Sequence, residues 1–194
     1  MSDHHHPPDI QRLKLSILIT ALFFLVEIIG GFLSGSLALV SDAGHMFSDL
    51  LSLLLSLVAM ILATSIATQE RTYGLHRTEI FAACINGILL VIVSLIIIKE
   101  AYQRFLSPTP IQSGIMIGVA VIGLFANLAI IRLLHGSHDL NMRSAFLHVL
   151  GDTLSSVAVI GAAVWISITG QVIIDPILSV IIAMIIIATA FGIL

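Results

Sequence analysis

Six long apolar runs dominate this sequence and restrict the folds that it can adopt. They cover residues 13–33, 37–66, 80–103, 112–134, 143–168 and 172–194. A helix needs about 20 apolar residues to cross a bilayer core about 30 Å thick, and every run is at least that long. A transmembrane β-barrel would instead show short segments of alternating polarity. We therefore predict an all-α membrane protein with six transmembrane helices.

Charged residues are scarce along the whole chain. Of the 194 residues, 58% are hydrophobic and 10% are charged, whereas a soluble domain has about 25% charged residues. The formal net charge is −3, and the chain lacks the basic patch that nucleic-acid binding needs. Composition therefore predicts the lipid bilayer as a partner and no nucleic acid. Cys84 is the only cysteine, which excludes an internal disulfide.

The chain ahead of the first apolar run has no feature of a signal peptide. Residues 1–12 contain three consecutive histidines at positions 4–6, followed by Pro7 and Pro8. A signal peptide would have a short apolar core and a cleavage site of small residues. We predict that residues 1–12 form a cytoplasmic, histidine-containing tail and that residues 13–194 form the six-helix transmembrane domain.

Lysine and arginine predict how the helices are oriented. Lys99 and Arg104 lie near the end of the third run. The other six lie at the start of the first run, between runs 2 and 3, or around the connection of runs 4 and 5: Arg12, Lys14, Arg71, Arg77, Arg132 and Arg143. Cytoplasmic loops carry an excess of Lys and Arg, so the side with six is predicted to be cytoplasmic. Both the N- and the C-terminus then lie in the cytoplasm.

Two of the apolar runs contain the same pattern of ionisable residues. "HMFSDLLS" and "HVLGDTLS" agree at His, Asp, Leu and Ser, and they pair His45 with Asp49 and His148 with Asp152. Residues four apart share one face of a helix. If helices 2 and 5 pack along these faces, two imidazoles and two carboxylates converge, which suits Zn²⁺ and also Co²⁺ or Cd²⁺. A single such residue would more simply hydrogen-bond a neighbouring helix, but two matched pairs favour a metal site.

The charges of such a site predict a mechanism. An ionised side chain near the bilayer centre costs at least about 2.5–3.5 kcal/mol, and a bound Zn²⁺ would neutralise two aspartates. Without metal, about two protons would take its place, because ligands must lose protons to bind metal. The site would load metal from the cytoplasm and release it toward a more acidic exterior. The residues therefore predict a metal/proton exchanger.

The axial positions of the two aspartates argue against this convergence. Counted from the centres of their runs, Asp49 lies about three residues toward the outer side and Asp152 about three toward the inner side. At about 1.5 Å per residue, the offset is near 9 Å. A tilt of the helices or a shift of helix 5 would be needed to close it.

Two further acids and two asparagines lie within the apolar runs; the acids each allow two interpretations, and the asparagines allow one. Asp42 lies on the face of His45 and is either an accessory residue of the site on the exit side or an acid favoured by a helix N-terminus. Glu27 is either a protonated packing residue or a proton carrier. Asn86 and Asn127 are predicted to form interhelical hydrogen bonds.

Further histidines lie between the runs. His76 occurs in "TYGLHRTE", and His135 and His138 occur in "LLHGSHD". Together with the histidines of the tail, these residues would collect metal before transport. The alternative is that they are ordinary solvated loop residues.

Several stretches around these residues resemble the cation diffusion facilitator family, in particular its bacterial zinc-efflux branch. They are "SLALVSDAGHMFSDLLSLLLSLVA", "YGLHRTEIFAACINGILL", "HGSHDLNMRSAFLHVLGDTLSSVAV" and "DPILSVIIA". The resemblance implies a six-helix transport domain in the bacterial inner membrane, usually a homodimer, that exports Zn²⁺ and often Cd²⁺ against proton entry. It implies the transport-site role for His45, Asp49, His148 and Asp152, and a further metal-binding role for the loop with His76.

The resemblance also sets an expectation for the end of the chain. Most members of that family continue into a cytoplasmic metal-binding domain that helps to hold the dimer. The sequence stops at Leu194 without such a domain. We therefore expect a weaker homodimer than in those members.

Two other classes of function fit part of the pattern. A membrane metal sensor or metal-binding protein would bind metal without moving it. An intramembrane metallohydrolase would need an open coordination position and commonly an HExxH motif, which this sequence lacks. We therefore expect a transporter and not an enzyme.

The substitution His76→Ala is expected to slow zinc transport without abolishing it, because a loop histidine would only help metal to reach the membrane site. The initial rate of zinc flux should fall, while the affinity of the membrane site for zinc stays unchanged. A complete loss of flux and of binding would instead assign His76 to the transport site.

Overall fold

Six α-helices account for the part of the chain that the structure describes. The computed structural model describes residues 7–64, 72–134 and 140–193, with side chains in 14–51, 53, 54, 57, 84–132 and 149–191. The helices are α1 (Pro7–Ser34), α2 (Leu37–Thr64), α3 (Thr72–Leu106), α4 (Ser113–Leu134), α5 (Leu140–Thr169) and α6 (Ile174–Ile193). The described ranges contain no strand. The prediction of an all-α fold with six helices is confirmed.

The helices extend beyond the apolar runs that predicted them. The largest difference is at α3, which begins at Thr72 and not at residue 80. An apolar run marks the part of a helix that lies in hydrocarbon, and a polar segment can continue the same helix into the interface. α1 likewise starts early, at Pro7, because proline is tolerated in the first turn of a helix.

The lengths of the helices suit a bilayer. Within the described residues, α1, α3, α4, α5 and α6 each contain a segment long and apolar enough to cross a membrane. α2 has 28 residues and is therefore about 42 Å long. All six helices are thus at least as long as the hydrocarbon core is thick.

The helices pack mainly in pairs around a core of small and aliphatic side chains. α4 packs on α5 and α3 packs on α6, while α1 contacts both α2 and α4. α2 also packs on α3 and α6, but its contact with α5 is narrow. Leu39, Met116, Val159 and Ile186 are almost completely buried in the core. Membrane helices approach closely where residues are small, and Ala163 is such a residue.

The outer surface of the bundle is apolar. Large side chains such as Phe32 and Ile168 are 74% and 78% exposed, the reverse of what a soluble protein of this size would show. Lipid tails are the medium in which such a surface is stable, and the backbone hydrogen bonds are satisfied within the helices. The exposed face is therefore the lipid-facing face.

Three short connections lie at one end of the bundle, which we call the turn end: residues 35–36, 107–112 and 170–173. In the first connection Gly35 has a φ of 72°, which glycine adopts without strain. The N–H of Gln112 donates to the carbonyl of Ser34 at 2.8 Å, which joins the second connection to the first. The cytoplasmic position of both termini stays a prediction, and it would make the turn end the outer end.

The substitution Gly123→Ala is expected to destabilise the contact between α1 and α4. A Cβ on Gly123 would lie 2.0 Å from Cζ of Phe23, whose ring is buried, and overpacking of this kind costs about 1–3 kcal/mol. Gly118→Ala on the same helix is the control, because nothing lies within 4 Å of its Cβ. Thermal unfolding in detergent should give a lower Tm for Gly123→Ala only; equal Tm values would contradict the packing.

Candidate metal centre

Helices α2 and α5 bring three of the predicted ligands together. His45 Nε2 lies 3.8 Å from Asp49 Oδ2 on its own helix and 3.7 Å from Asp152 Oδ1 on α5. One ligand atom from each residue lies within 4.8 Å of the other two. Two carboxylates from separate helices thus face the same imidazole.

The spacing of these atoms is close to that of a zinc shell. With metal–ligand distances of about 2.1 Å, tetrahedral ligands lie about 3.4 Å apart. The two distances from the imidazole are only a few tenths of an ångström longer, so small side-chain rotations would suffice to enclose an ion. The three side chains are 15–20% exposed, which leaves a way for an ion to reach them.

The fourth predicted ligand lies on the same helix as Asp152. His148 belongs to α5, one turn before Asp152, and its side chain lies outside the described residues. The same is true of the side chains of His76, His135 and His138, so their predicted roles stay predictions.

The axial offset of about 9 Å does not keep the two aspartates apart. α5 begins at Leu140 and α2 ends at Thr64, so the centres of the helices differ from those of the apolar runs. Counted from the centres of the helices, Asp49 lies about 1.5 and Asp152 about 2.5 residues away, which lowers the offset to about 6 Å. The three ligand atoms nevertheless lie within 4.8 Å of one another, so the remaining offset does not separate the side chains.

A second cluster of buried acids adjoins the candidate metal centre. Asp42 Oδ1 accepts a hydrogen bond of 2.7 Å from the hydroxyl of Ser155 on α5, and the buried carboxyl group of Glu27 on α1 lies beside Asp42. Glu27 and Asp42 are only 1% and 6% exposed. The cluster connects three helices, and Asp42 lies one turn before His45 on α2.

The interpretation of Asp42 as a helix N-terminal acid is wrong. α2 begins at Leu37, and the first turn contains no acid. Asp42 lies beyond that turn, where the helix dipole has little effect, and it accepts a hydrogen bond from Ser155 on α5. It therefore belongs with the buried cluster beside the metal centre.

Two asparagines brace the helices that carry the site. Asn86 Nδ2 on α3 donates to Ser48 Oγ on α2 at 2.8 Å, and Asn127 Nδ2 on α4 donates to Ser156 Oγ on α5 at 3.4 Å. The predicted interhelical hydrogen bonds of both asparagines are confirmed. Ser48 adjoins Asp49, so one of these bonds lies directly beside the site.

Sequence reasoning missed one completely buried acid, Asp175 on α6. It is the second residue of α6 and precedes Pro176, a setting in which an acid is expected to stabilise the start of its own helix. Its carboxylate instead accepts hydrogen bonds from the start of α2. The Asp-Pro pair in the sequence indicates an acid at the start of α6, but it does not indicate that this acid binds the start of α2.

The fold and the site together define the class of the protein. The bundle is a set of long apolar helices that brings His45, Asp49 and Asp152 together in its interior, and residues 13–194 match the cation efflux transmembrane domain family. The chain belongs to that family. It is therefore a multi-pass integral membrane protein of the bacterial inner membrane, and the predicted family is confirmed.

Several bacterial transporters are similar to almost the whole chain. The zinc transporter ZitB of Escherichia coli (strain K12) is 45% identical over 195 residues, which cover 98% of this chain and 62% of that protein. The cadmium, cobalt and zinc/H(+)-K(+) antiporter of Bacillus subtilis (strain 168) is 39% identical over 195 residues, covering 98% and 63%. The metal cation efflux system protein CzcD of Cupriavidus metallidurans is 41% identical over 184 residues, covering 93% and 58%.

These relatives bear on two further expectations. Their names are those of transporters and efflux systems, which confirms that the chain is not an enzyme. The chain spans about three fifths of the length of the relatives that it matches. The shared part includes all six helices.

Proposed function

We propose that the chain is the transport domain of a divalent-metal efflux transporter that moves Zn²⁺ in exchange for protons. The observation that carries this proposal is the convergence of His45, Asp49 and Asp152 from two helices on one small volume. His148 is the proposed fourth ligand, because it lies one turn from Asp152 on α5 and would complete a tetrahedral shell.

The chemistry of the three residues favours zinc over alkaline-earth ions. Imidazole and carboxylate ligands suit Zn²⁺, Cd²⁺ and Co²⁺, whereas Mg²⁺ and Ca²⁺ prefer shells of six or more oxygens. A zinc ion between Asp49 and Asp152 would bring the local charge to zero. Because bare carboxylates are costly in a bilayer, the site needs either the metal or protons, and this requirement couples the two.

The two buried acids beside the site, Glu27 and Asp42, could hold a proton close to the metal ligands. Two buried carboxylates beside each other repel, and a proton on one of them removes that repulsion. Glu27 and Asp42 are buried neighbours, and the hydroxyl of Ser155 donates to Asp42. We propose that Glu27 holds a proton and that Asp42 accepts the hydrogen bond of Ser155.

The names of the related transporters support the same proposal. One relative is named a zinc transporter, and another is named an antiporter for cadmium, cobalt and zinc against H⁺ and K⁺. We propose zinc as the principal substrate here, with Cd²⁺ and Co²⁺ as further substrates. A homodimer, weakened without a cytoplasmic domain, is the proposed assembly, and the loop histidines are the proposed loading residues.

The strongest alternative is a membrane metal sensor or metal-binding protein that does not transport. It would use the same ligands and would show the same affinity for zinc. The two functions differ in one measurable respect, which is whether bound metal leaves on the other side of the membrane.

The substitution Asp152→Ala is expected to weaken zinc binding by at least about 100-fold, since the loss of even an outer-shell partner costs about 10–100-fold. Isothermal titration of the purified protein in detergent measures this affinity. Thr153→Ala is the matched control, because the Thr153 hydroxyl donates only to the carbonyl of Val149 on its own helix. If Asp152→Ala binds zinc with an affinity close to that of the unsubstituted chain, Asp152 is not a ligand and the proposed site on α5 is wrong.

Vesicles that contain the chain should move zinc and protons in opposite directions when a pH gradient is imposed. Fluorescent indicators of zinc and of internal pH, read together, measure the two fluxes. Zinc movement without a change in internal pH would contradict proton exchange, and its dependence on K⁺ would then identify the counter-ion. Zinc binding without any flux would establish the sensor.

A further inference from the structure

The first turn of α2 is capped by an acid from another helix. The carboxylate of Asp175, in the first turn of α6, accepts hydrogen bonds from the N–H of Leu37 at 2.8 Å and of Ala38 at 3.2 Å. The hydroxyl of Ser36 donates to the same carboxylate at 2.5 Å. The Ser36 oxygen in turn accepts the N–H of Leu39 at 3.2 Å. Three consecutive N–H groups at the start of α2 are therefore satisfied, two of them by α6.

An arginine from α3 completes this arrangement. Arg104 Nη1 lies 3.9 Å from Asp175 Oδ2 and also donates to the carbonyl of Gly35 in the α1–α2 turn. Glu100, one turn earlier on α3, holds Arg104 Nε at 3.2 Å. The charge of Asp175, which is 0% exposed, thus has a cation beside it. We call Asp175, Arg104 and Ser36 the clasp.

Opening the clasp is costly because its groups are enclosed by protein. The first N–H groups of a helix have no partner within the helix, and Ser36, Ala38 and Asp175 are 0% exposed, so water does not reach them to replace a lost hydrogen bond. Breaking the clasp would leave a buried carboxylate and two buried N–H groups without partners. The start of α2 therefore stays joined to α6 and α3.

The same helix carries half of the metal centre. His45 lies eight residues after Leu37, about 12 Å along a continuous helix, and Asp49 lies one turn further. Among the residues that the structure describes, α2 contacts α5 over a short stretch and α1, α3 and α6 over longer ones. The distance from His45 to Asp152 therefore also depends on how α2 is held by those other helices.

We propose that Asp175 is a positioning residue for metal binding, which fixes the axial position and rotation of α2 so that His45 and Asp49 face Asp152. This inference rests on the proposed metal site. It assigns no ligand role to Asp175, because its oxygens are already occupied by protein donors. It predicts that the chemistry of one side chain at the turn end controls zinc affinity about 12 Å away.

The test compares Asp175→Asn with Ser179→Ala. Asparagine removes the charge and presents an NH₂ group to the donors of α2, whereas the Ser179 hydroxyl, also buried on α6, donates only to the carbonyl of Asp175 within its own helix. Zinc titration is performed on the monodisperse, folded fraction of each protein. We expect the Kd of Asp175→Asn to rise by about tenfold or more and that of Ser179→Ala to stay within twofold.

The readout separates positioning from a purely structural role. A residue that only stabilises the fold would reduce the folded yield and leave the Kd of the folded fraction unchanged, and that result for Asp175→Asn would overturn the proposal. Asp175→Glu, which keeps the charge and the acceptors on a longer side chain, should give an intermediate Kd. If neither folds, Ser36→Ala is measured instead, and a Kd within twofold of the unsubstituted chain would overturn the proposal.

The outcome also separates this inference from the function on which it rests. Failure of the unsubstituted chain to bind zinc would defeat the proposed metal site. Binding and transport by the unsubstituted chain, with unchanged affinity in the clasp variants, would defeat the positioning role alone.

Discussion

A charged or polar group inside a bilayer must have a partner, and this constraint explains the arrangement of the buried acids in this protein. An ionised side chain at the centre of a membrane costs at least about 2.5–3.5 kcal/mol. The bundle meets the requirement in three ways. Asp175 has Arg104 and backbone donors, Asp42 has the hydroxyl of Ser155, and Asp49 has an imidazole that it shares with a carboxylate of α5.

All three of these groups of interactions involve the same helix, α2. α2 is held by the clasp at its start, carries Asp42 in its second turn and carries His45 and Asp49 after that. Within the described residues its broader contacts are with α1, α3 and α6, and its contact with α5 covers a shorter stretch. Movement of α2 relative to α5 would change the distances within the site, and movement of this kind is what alternating access to a binding site requires. The hydrogen bonds that hold the start of α2 therefore bear on the geometry of the site.

The fold and the centre of the site were predictable because both depend on local spacing. Long apolar runs need no tertiary information to indicate helices, and an HxxxD pair lies on one helix face whatever surrounds it. The helix ends were less predictable. α3 begins at Thr72 with a polar turn, and from composition alone such a turn is predicted to be a loop. Asp175, Ser155 and Arg104 were missed as partners because their roles depend on which helices are neighbours. The spacing of residues along the chain carries no such information.

Exposure separates the acids that could exchange an ion from the acid that holds the structure together. Asp175 is 0% exposed, and its oxygens are occupied by groups of the protein that cannot leave. Asp49 and Asp152 are 17% and 20% exposed, and both lie near the same imidazole. A transported ion must be able to enter and leave, so its ligands need both access to solvent and partners that can be displaced. The pair beside His45 is partly accessible, whereas Asp175 is fully enclosed, and this difference shows how one fold can hold one carboxylate permanently while it leaves two others available for the proposed exchange of metal and protons.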